Sequence, residues 1–162
     1  VDDLMSQQSQ AAFCLLRPPG HHATRSNSMG FCLLNNIAIA ARHAVSRHGL
    51  QRILIVDFDV HHGNGTQDIF YDDPSIFFFS SHRYPFYPGT GGAGETGSGA
   101  GLGTTLNLPL AADWKAEQIV DRFQIGLDEA AQRIRPELVL LSAGFDAHYQ
   151  DPIGGLRLDE EH

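Results

Sequence analysis

The stretch Ile53-Leu54-Ile55-Val56-Asp57-Phe58-Asp59-Val60-His61-His62-Gly63-Asn64-Gly65 passes from an apolar run into ligand chemistry within a few residues. A short apolar run that closes on turn residues reads as a buried strand. Side chains alternate on a strand, so continued pairing would put Asp57, Asp59 and His61 on one face, with Phe58 and Val60 on the other. A strand that ends in a solvated turn needs a few capping polar groups. It does not need three carboxylate or imidazole groups in register, then a second His and two glycines that let the backbone turn tightly.

Working outward, apolar strands alternate with helices. Ala11 to Leu16 reads as a short buried strand, stopped by Arg17-Pro18-Pro19-Gly20 with His21 and His22 directly after it. Asn35 to His48 carries Ile37, Ala40, Ala41, Ala44 and Val45 at helical spacing, with Gly49 as its stop. Asp68 to Tyr71 closes a short helix, and Ser75 to Ser81 reads as another buried strand. Tyr84 to Gly103 is a long loop of the kind that is functional or mobile in a compact domain. Thr104 to Leu108 reads as extended. Asp113 is placed to cap a helix whose apolar stripe is Ile119, Phe123, Leu127, Ala130 and Ile134, ended by Pro136. Leu138 to Leu141 is a buried strand leading into Ser142-Ala143-Gly144-Phe145-Asp146.

This alternation predicts an α/β fold, a parallel sheet covered by helices on both faces, in which ligands gather at the carboxyl ends of the strands. His21-His22, Asp57 to Asn64, Ser80-Ser81-His82 and Asp146 all fall at or just past such ends.

Composition narrows the function classes. The 162 residues are 42% hydrophobic, enough for one core, and the formal charge of −8 without a basic stripe argues against nucleic acid as a direct ligand. No apolar run reaches membrane-span length. Cys14 and Cys32 lie in apolar segments and read as reduced core thiols, which points to a cytoplasmic setting. The start, Val1-Asp2-Asp3, has neither an initiator Met nor a signal-peptide pattern and reads as clipped.

Asp59, His61 and Asp146 form a three-ligand set that leaves a coordination position open, the mark of a catalytic ion. With no thiolate nearby, the mixed N/O set suits zinc first, and also Fe2+, Mn2+ or cobalt. Such an ion acidifies water and polarises a carbonyl, as hydrolysis of an amide or ester requires. His21 and His22 then serve as general base and proton-transfer partner. Asp57 and Asn64 are placed to orient their second nitrogens, and the His paired with the carboxylate is expected to be the more easily protonated.

These residues carry a resemblance. Arg17-Pro18-Pro19-Gly20-His21-His22-Ala23, Gly30-Phe31-Cys32-Leu33-Leu34-Asn35-Asn36, Asp57 through Gln67, Tyr87-Pro88-Gly89-Thr90-Gly91 and Ala143-Gly144-Phe145-Asp146-Ala147 together resemble the zinc-dependent histone deacetylase family. Asn64 and the Gly-Thr-Gln after it resemble the class II branch and its bacterial relatives, among them acetylpolyamine amidohydrolases. The resemblance implies an arginase/deacetylase-type fold, with residues 1–162 the central part of one deacetylase domain and the sheet incomplete at both ends, exposing an apolar edge. It implies zinc on Asp59, His61 and Asp146, with His21 paired to Asp57 and His22 to Asn64, His22 being the base. Phe31 and Tyr87 match the walls of an acyl-lysine channel, Gly30 the glycine whose carbonyl meets the substrate amide, and Ile153 a further wall. The family also binds K+, and Asp57, Asp59, His61, Ser80 and Ser81 stand at the matching positions. An acetylated lysine peptide or an acetylated polyamine is the implied substrate, and homo-oligomers are compatible with it.

The family's transition-state Tyr, in a Gly-Gly-Tyr segment, is expected beyond His162, and its acidic substrate-gripping loop before Val1. Tyr149 is the alternative for the Tyr within the chain. Two other readings stand beside deacetylation: an arginase-like binuclear ureohydrolase, which needs more bridging aspartates, and a non-catalytic acyl-lysine-binding or scaffold protein.

Overall fold

The computed structural model describes residues 1–162. Its centre is β1 (Ile53–Asp57), every residue of which is buried. Parallel neighbours lie on both sides: β2 (Ile76–Arg83) on one and β4 (Leu138–Ser142) on the other, with β3 (Thr105–Leu110) beyond β2, giving the order β3-β2-β1-β4. The alternating pattern thus yields the expected parallel α/β sheet. Asp57 pairs in register with Ser80 of β2 and Ser142 of β4, so β1 and β4 end level while β2 runs on three residues to Arg83.

The two faces bury different residues of the same strands. Ile53, Ile55, Ile76, Phe78 and Leu138 pack under α2 (Asn36–His48) and α3 (Asn64–Phe70) through Ala38, Ala41, Ala44, Ile69 and Phe70. Leu54, Val56, Phe77 and Phe79 face α4 (Ala116–Ile134) through Ala130 and Ile134, with Phe123 and Leu127 half-buried beside them. α4 crosses closely: a Cβ on Gly126 would lie 2.7 Å from the Phe79 ring. A short α1 (Asp2–Met5) precedes these elements, and no helix is long and apolar enough to cross a membrane.

Asn35 caps α2, accepting the Ala38 N–H at 3.0 Å, and Gly49 ends the helix in the left-handed region at φ 70°. α4 begins two residues later than the cap Asp113 would require. Its N-cap is Lys115, whose N–H is accepted by the Gln118 side chain at 3.1 Å, because a Gln at the third helical position reaches back to the free amide.

Three expectations are corrected. Ala11 to Leu16 forms no strand, and Phe13, Leu15 and Leu16 are exposed: the segment pairs with neither edge of the sheet, β3 or β4. Cys14 is exposed with it, so only Cys32 is the core thiol expected. β4 is an edge strand rather than a buried one: Val139 and Leu141 are exposed, because α4 covers β1 to β3 and leaves the β4 side of that face open over a cleft of about 1220 Å³. The apolar edge expected from the sequence is this one.

Candidate active site and metal centre

β1 ends at Asp57, so Asp59 and His61 are not brought together by strand alternation. A chain of local hydrogen bonds does it instead. The Asp59 N–H donates to Asp57 Oδ1 at 3.2 Å, and the His61 N–H donates to Asp59 Oδ1 at 2.8 Å. Asp146, four residues past β4, is held by the Val60 N–H at 3.0 Å. The donor atoms of Asp59, His61 and Asp146 lie within 4.8 Å of one another. His61 Nδ1 is 3.0 Å from Asp59 Oδ1 and 2.9 Å from Asp146 Oδ2. Hydrogen bonds to Asp146 and Asp59 push this imidazole up to about 9 against its partial burial. Two carboxylates thus aim at one nitrogen and call for positive charge between them, the fit a divalent cation requires.

The His pair sits beside this cluster. His21 and His22 occupy a turn in which the Ala23 N–H donates to the Gly20 carbonyl, and Asn35 anchors the turn by donating to the Ala23 carbonyl at 3.0 Å. The rings are 4.0 Å apart at their centres. His21 Nδ1 donates to Asp57 Oδ2 at 2.9 Å, and His22 Nδ1 to Asn64 Oδ1 at 2.7 Å. Asn64 Nδ2 faces Met29 Sδ, which leaves its oxygen as the acceptor and fixes the neutral His22 tautomer with a free Nε2. The unequal partners split the pair. Burial opposes charge on His21, but Asp57, Asp59 and Asp146 outweigh it and raise the group to about 9. Burial and then the charge of His21 push His22 down to about 4, with the Asn64 bond opposing in part. The direction is the one argued from a carboxylate partner against an amide.

The remaining residues frame the pocket. A Cβ on Gly30, which has φ 55°, would lie 2.1 Å from the His22 ring, so only glycine fits there. Phe31 next to it is exposed and left-handed at φ 63°. Tyr87 stands edge-on to His22 with ring centres 5.1 Å apart and is half-exposed. Ile153 is exposed at the turn whose Gly154 carbonyl accepts from Arg83 at 3.1 Å. Arg83 lies over Phe86, and Phe86 stacks on His61 at 5.2 Å. Ser80 and Ser81 are buried in the second half of β2, with Ser80 directly opposite Asp57. Tyr149 is turned away: its hydroxyl accepts from Gln150 and its ring packs on His148.

Sequence reasoning missed several contributors. Gly144 is needed because a Cβ there would meet Asp59 Oδ2 at 2.1 Å. Phe86 gave no signal beyond its place beside Tyr87. Behind the pocket, His62 Nε2 donates to Gln67 Oε1 at 3.0 Å, Gln67 donates to Glu95 at 2.6 Å, and Glu95 accepts the Gly91 and Gly92 N–H groups at 2.9 and 2.8 Å. This network ties down the loop that carries Tyr87. Glu95, a lone acid in a glycine-rich loop, was the available signal.

Comparison with known proteins identifies the family. The histone deacetylase domain family model matches residues 1–162. Histone deacetylase 10, chloroplastic, of Oryza sativa subsp. japonica is 54% identical over 145 residues, covering 90% of this chain and 33% of that protein. Polyamine deacetylase HDAC10 of Homo sapiens is 46% identical over 167 residues, covering 99% of this chain and 25% of that protein. The crystal structure of the HDA15 HD domain superposes with a TM-score of 0.88 at 43% identity, covering 96% of this chain and 46% of that one. The chain therefore spans between a quarter and a half of the length of these relatives. With the parallel sheet and a family match over its whole length, this chain belongs to the histone deacetylase family.

Proposed function

We propose that the protein from which this chain comes is a metal-dependent amidohydrolase that removes acetyl or related acyl groups from lysine side chains or polyamines. The observation that carries the reading is the convergence of Asp59, His61 and Asp146 beside a His pair with unequal partners. Zn2+ held by these residues, or Fe2+ or Mn2+ in its place, supplies a Lewis acid for the amide carbonyl and acidifies water. His22, neutral near pH 7 and with Nδ1 committed to Asn64, accepts the proton of the attacking water at Nε2 and returns it to the leaving amine. His21 keeps its proton on Asp57 and contributes positive charge beside the reacting carbonyl. Gly30, Phe31, Tyr87 and Ile153 line the acyl channel. K+ beneath the centre belongs to the same reading, with Asp57, Asp59, His61, Ser80 and Ser81 around it: Ser80 Oγ donates to His82 and keeps a lone pair free, opposite the Asp57 carboxylate.

An arginase-like binuclear centre is disfavoured because Asp57, the next carboxylate, is taken by His21. The test is metal analysis with turnover of the parent protein on acetyl-lysine peptides and acetylpolyamines. About one catalytic ion per chain is expected, lost in Asp146→Ala together with turnover. Full occupancy of that centre in the variant overturns the ligand set, and absence of turnover in a metal-loaded parent overturns the enzyme in favour of a binding protein.

A further inference from the structure

A second convergence of metal-ligating side chains lies at the other end of the sheet. His43 and His48 lie near the carboxyl end of α2, shortly before β1 begins, so they stand at the amino ends of the strands, away from the cluster around Asp59. Five residues apart on a helix, the two side chains leave it about 140° apart and do not meet by spacing alone. Yet both Nε2 atoms turn to one atom, Asp2 Oδ1, at 2.6 and 2.7 Å. The three donor atoms lie within 4.8 Å of one another.

Asp2 is not drawn there only by charge. Val1, Leu4 and Met5 pack against the core formed with Ala38, Ala41 and Ala44, so apolar burial sets α1 beside α2 and presents Asp2 to the imidazoles. An exposed ion pair is worth little and needs one imidazole, not two with their nitrogens aimed at a common point. The last-turn carbonyls of α2 add negative potential where His48 sits. Two imidazole nitrogens and a carboxylate oxygen, partly open to solvent, leave a fourth position for water, a donor set suited to Zn2+, Co2+ or Ni2+.

We propose that Asp2, His43 and His48 form a second divalent-metal site, which staples the N-terminal helix α1 to the end of α2. It shares no ligand with the catalytic cluster and does not depend on the function assigned there.

Equilibrium dialysis of the chain against Zn2+ tests it, with Asp59→Ala used to remove the first centre. We expect about two ions in the unmodified chain, about one in Asp59→Ala, and none in Asp59→Ala combined with His43→Ala and His48→Ala. Zn2+ should raise the Tm of Asp59→Ala and leave that of the triple variant unchanged. If Asp59→Ala folds poorly, Co2+ added to the unmodified chain supplies the readout, through paramagnetic shifts of the His43 and His48 ring protons. Equal Zn2+ content or equal Tm shift with and without the His pair, or Co2+ that leaves both rings unshifted, overturns the site and leaves only an ion-paired cluster.

Discussion

His22 and His21 differ by one atom in the partner that each ring meets, and that atom divides their work. An amide oxygen orients His22 without giving it a charge to stabilise, so burial and the charge of His21 keep it a neutral base. His22→Ala should lower turnover of the parent protein by at least ~100-fold with metal content unchanged. Steady-state kinetics alongside metal analysis check this, and near-normal turnover would move the base elsewhere. A second residue-scale expectation concerns His82, which is fully buried, with Nε2 donating to the Gly91 carbonyl and Nδ1 accepting from Ser80. Burial holds it down to about 4, the Gly91 and Glu95 contacts opposing only in part. The folded state thus refuses a proton that the unfolded chain takes up near pH 6.5, so stability is lost as pH falls from there toward 4, by roughly 3 kcal/mol in the limit. Denaturant midpoints between pH 7 and 4 should fall less steeply in His82→Gln.

The elements show how a site is held rather than what it contains. The loop from Tyr84 to Gly103 has little regular structure, yet Glu95 fastens it by accepting from Gly91, Gly92 and Gln67, and Asn107 of β3 donates to the Glu95 carbonyl at 3.2 Å. Glu95→Gln replaces an acceptor with a donor that faces donors, at a cost of about 1–3 kcal/mol. Because the network lies behind Tyr87 and touches no reacting group, KM should rise more than kcat falls; an equal loss in kcat alone would count against the positioning role. The sheet and its helices were legible because periodicity reports burial, and the stripe of α4 and the run Ile53 to Val56 each have a face to bury. Ala11 to Leu16 misled for the same reason: hydrophobicity marks a need for cover, while a strand forms only where the chain is laid alongside a partner strand, and this segment lies along neither β3 nor β4.

At the scale of the molecule, the chain leaves one face of its edge strand β4 uncovered. Val139 and Leu141 border the cleft between β4 and α4, and Phe145 extends the apolar surface toward the site. Amide hydrolysis also needs a donor aimed at the developing oxyanion, worth ~100- to 1000-fold. Tyr149 is turned to His148 and Gln150, and Tyr87 stands edge-on to His22 as a wall. Residues 1–162 alone, loaded with zinc, should therefore turn over acetyl-lysine at least ~100-fold more slowly than the longer parent. Comparable rates would place the donor inside the chain.

The sequence by itself determined the fold class, the clustering of ligand chemistry at strand ends and the identity of the convergent residues, since side-chain type and period are local properties. Which groups touch was decided only in three dimensions. Asp59 and His61 meet through backbone hydrogen bonds past the end of β1, Gly144 is required by Asp59 across the sheet, and Asp2 reaches His43 and His48 because α1 packs on the core. Such contacts join residues far apart in the chain, and no local pattern records the distance that folding closes between them.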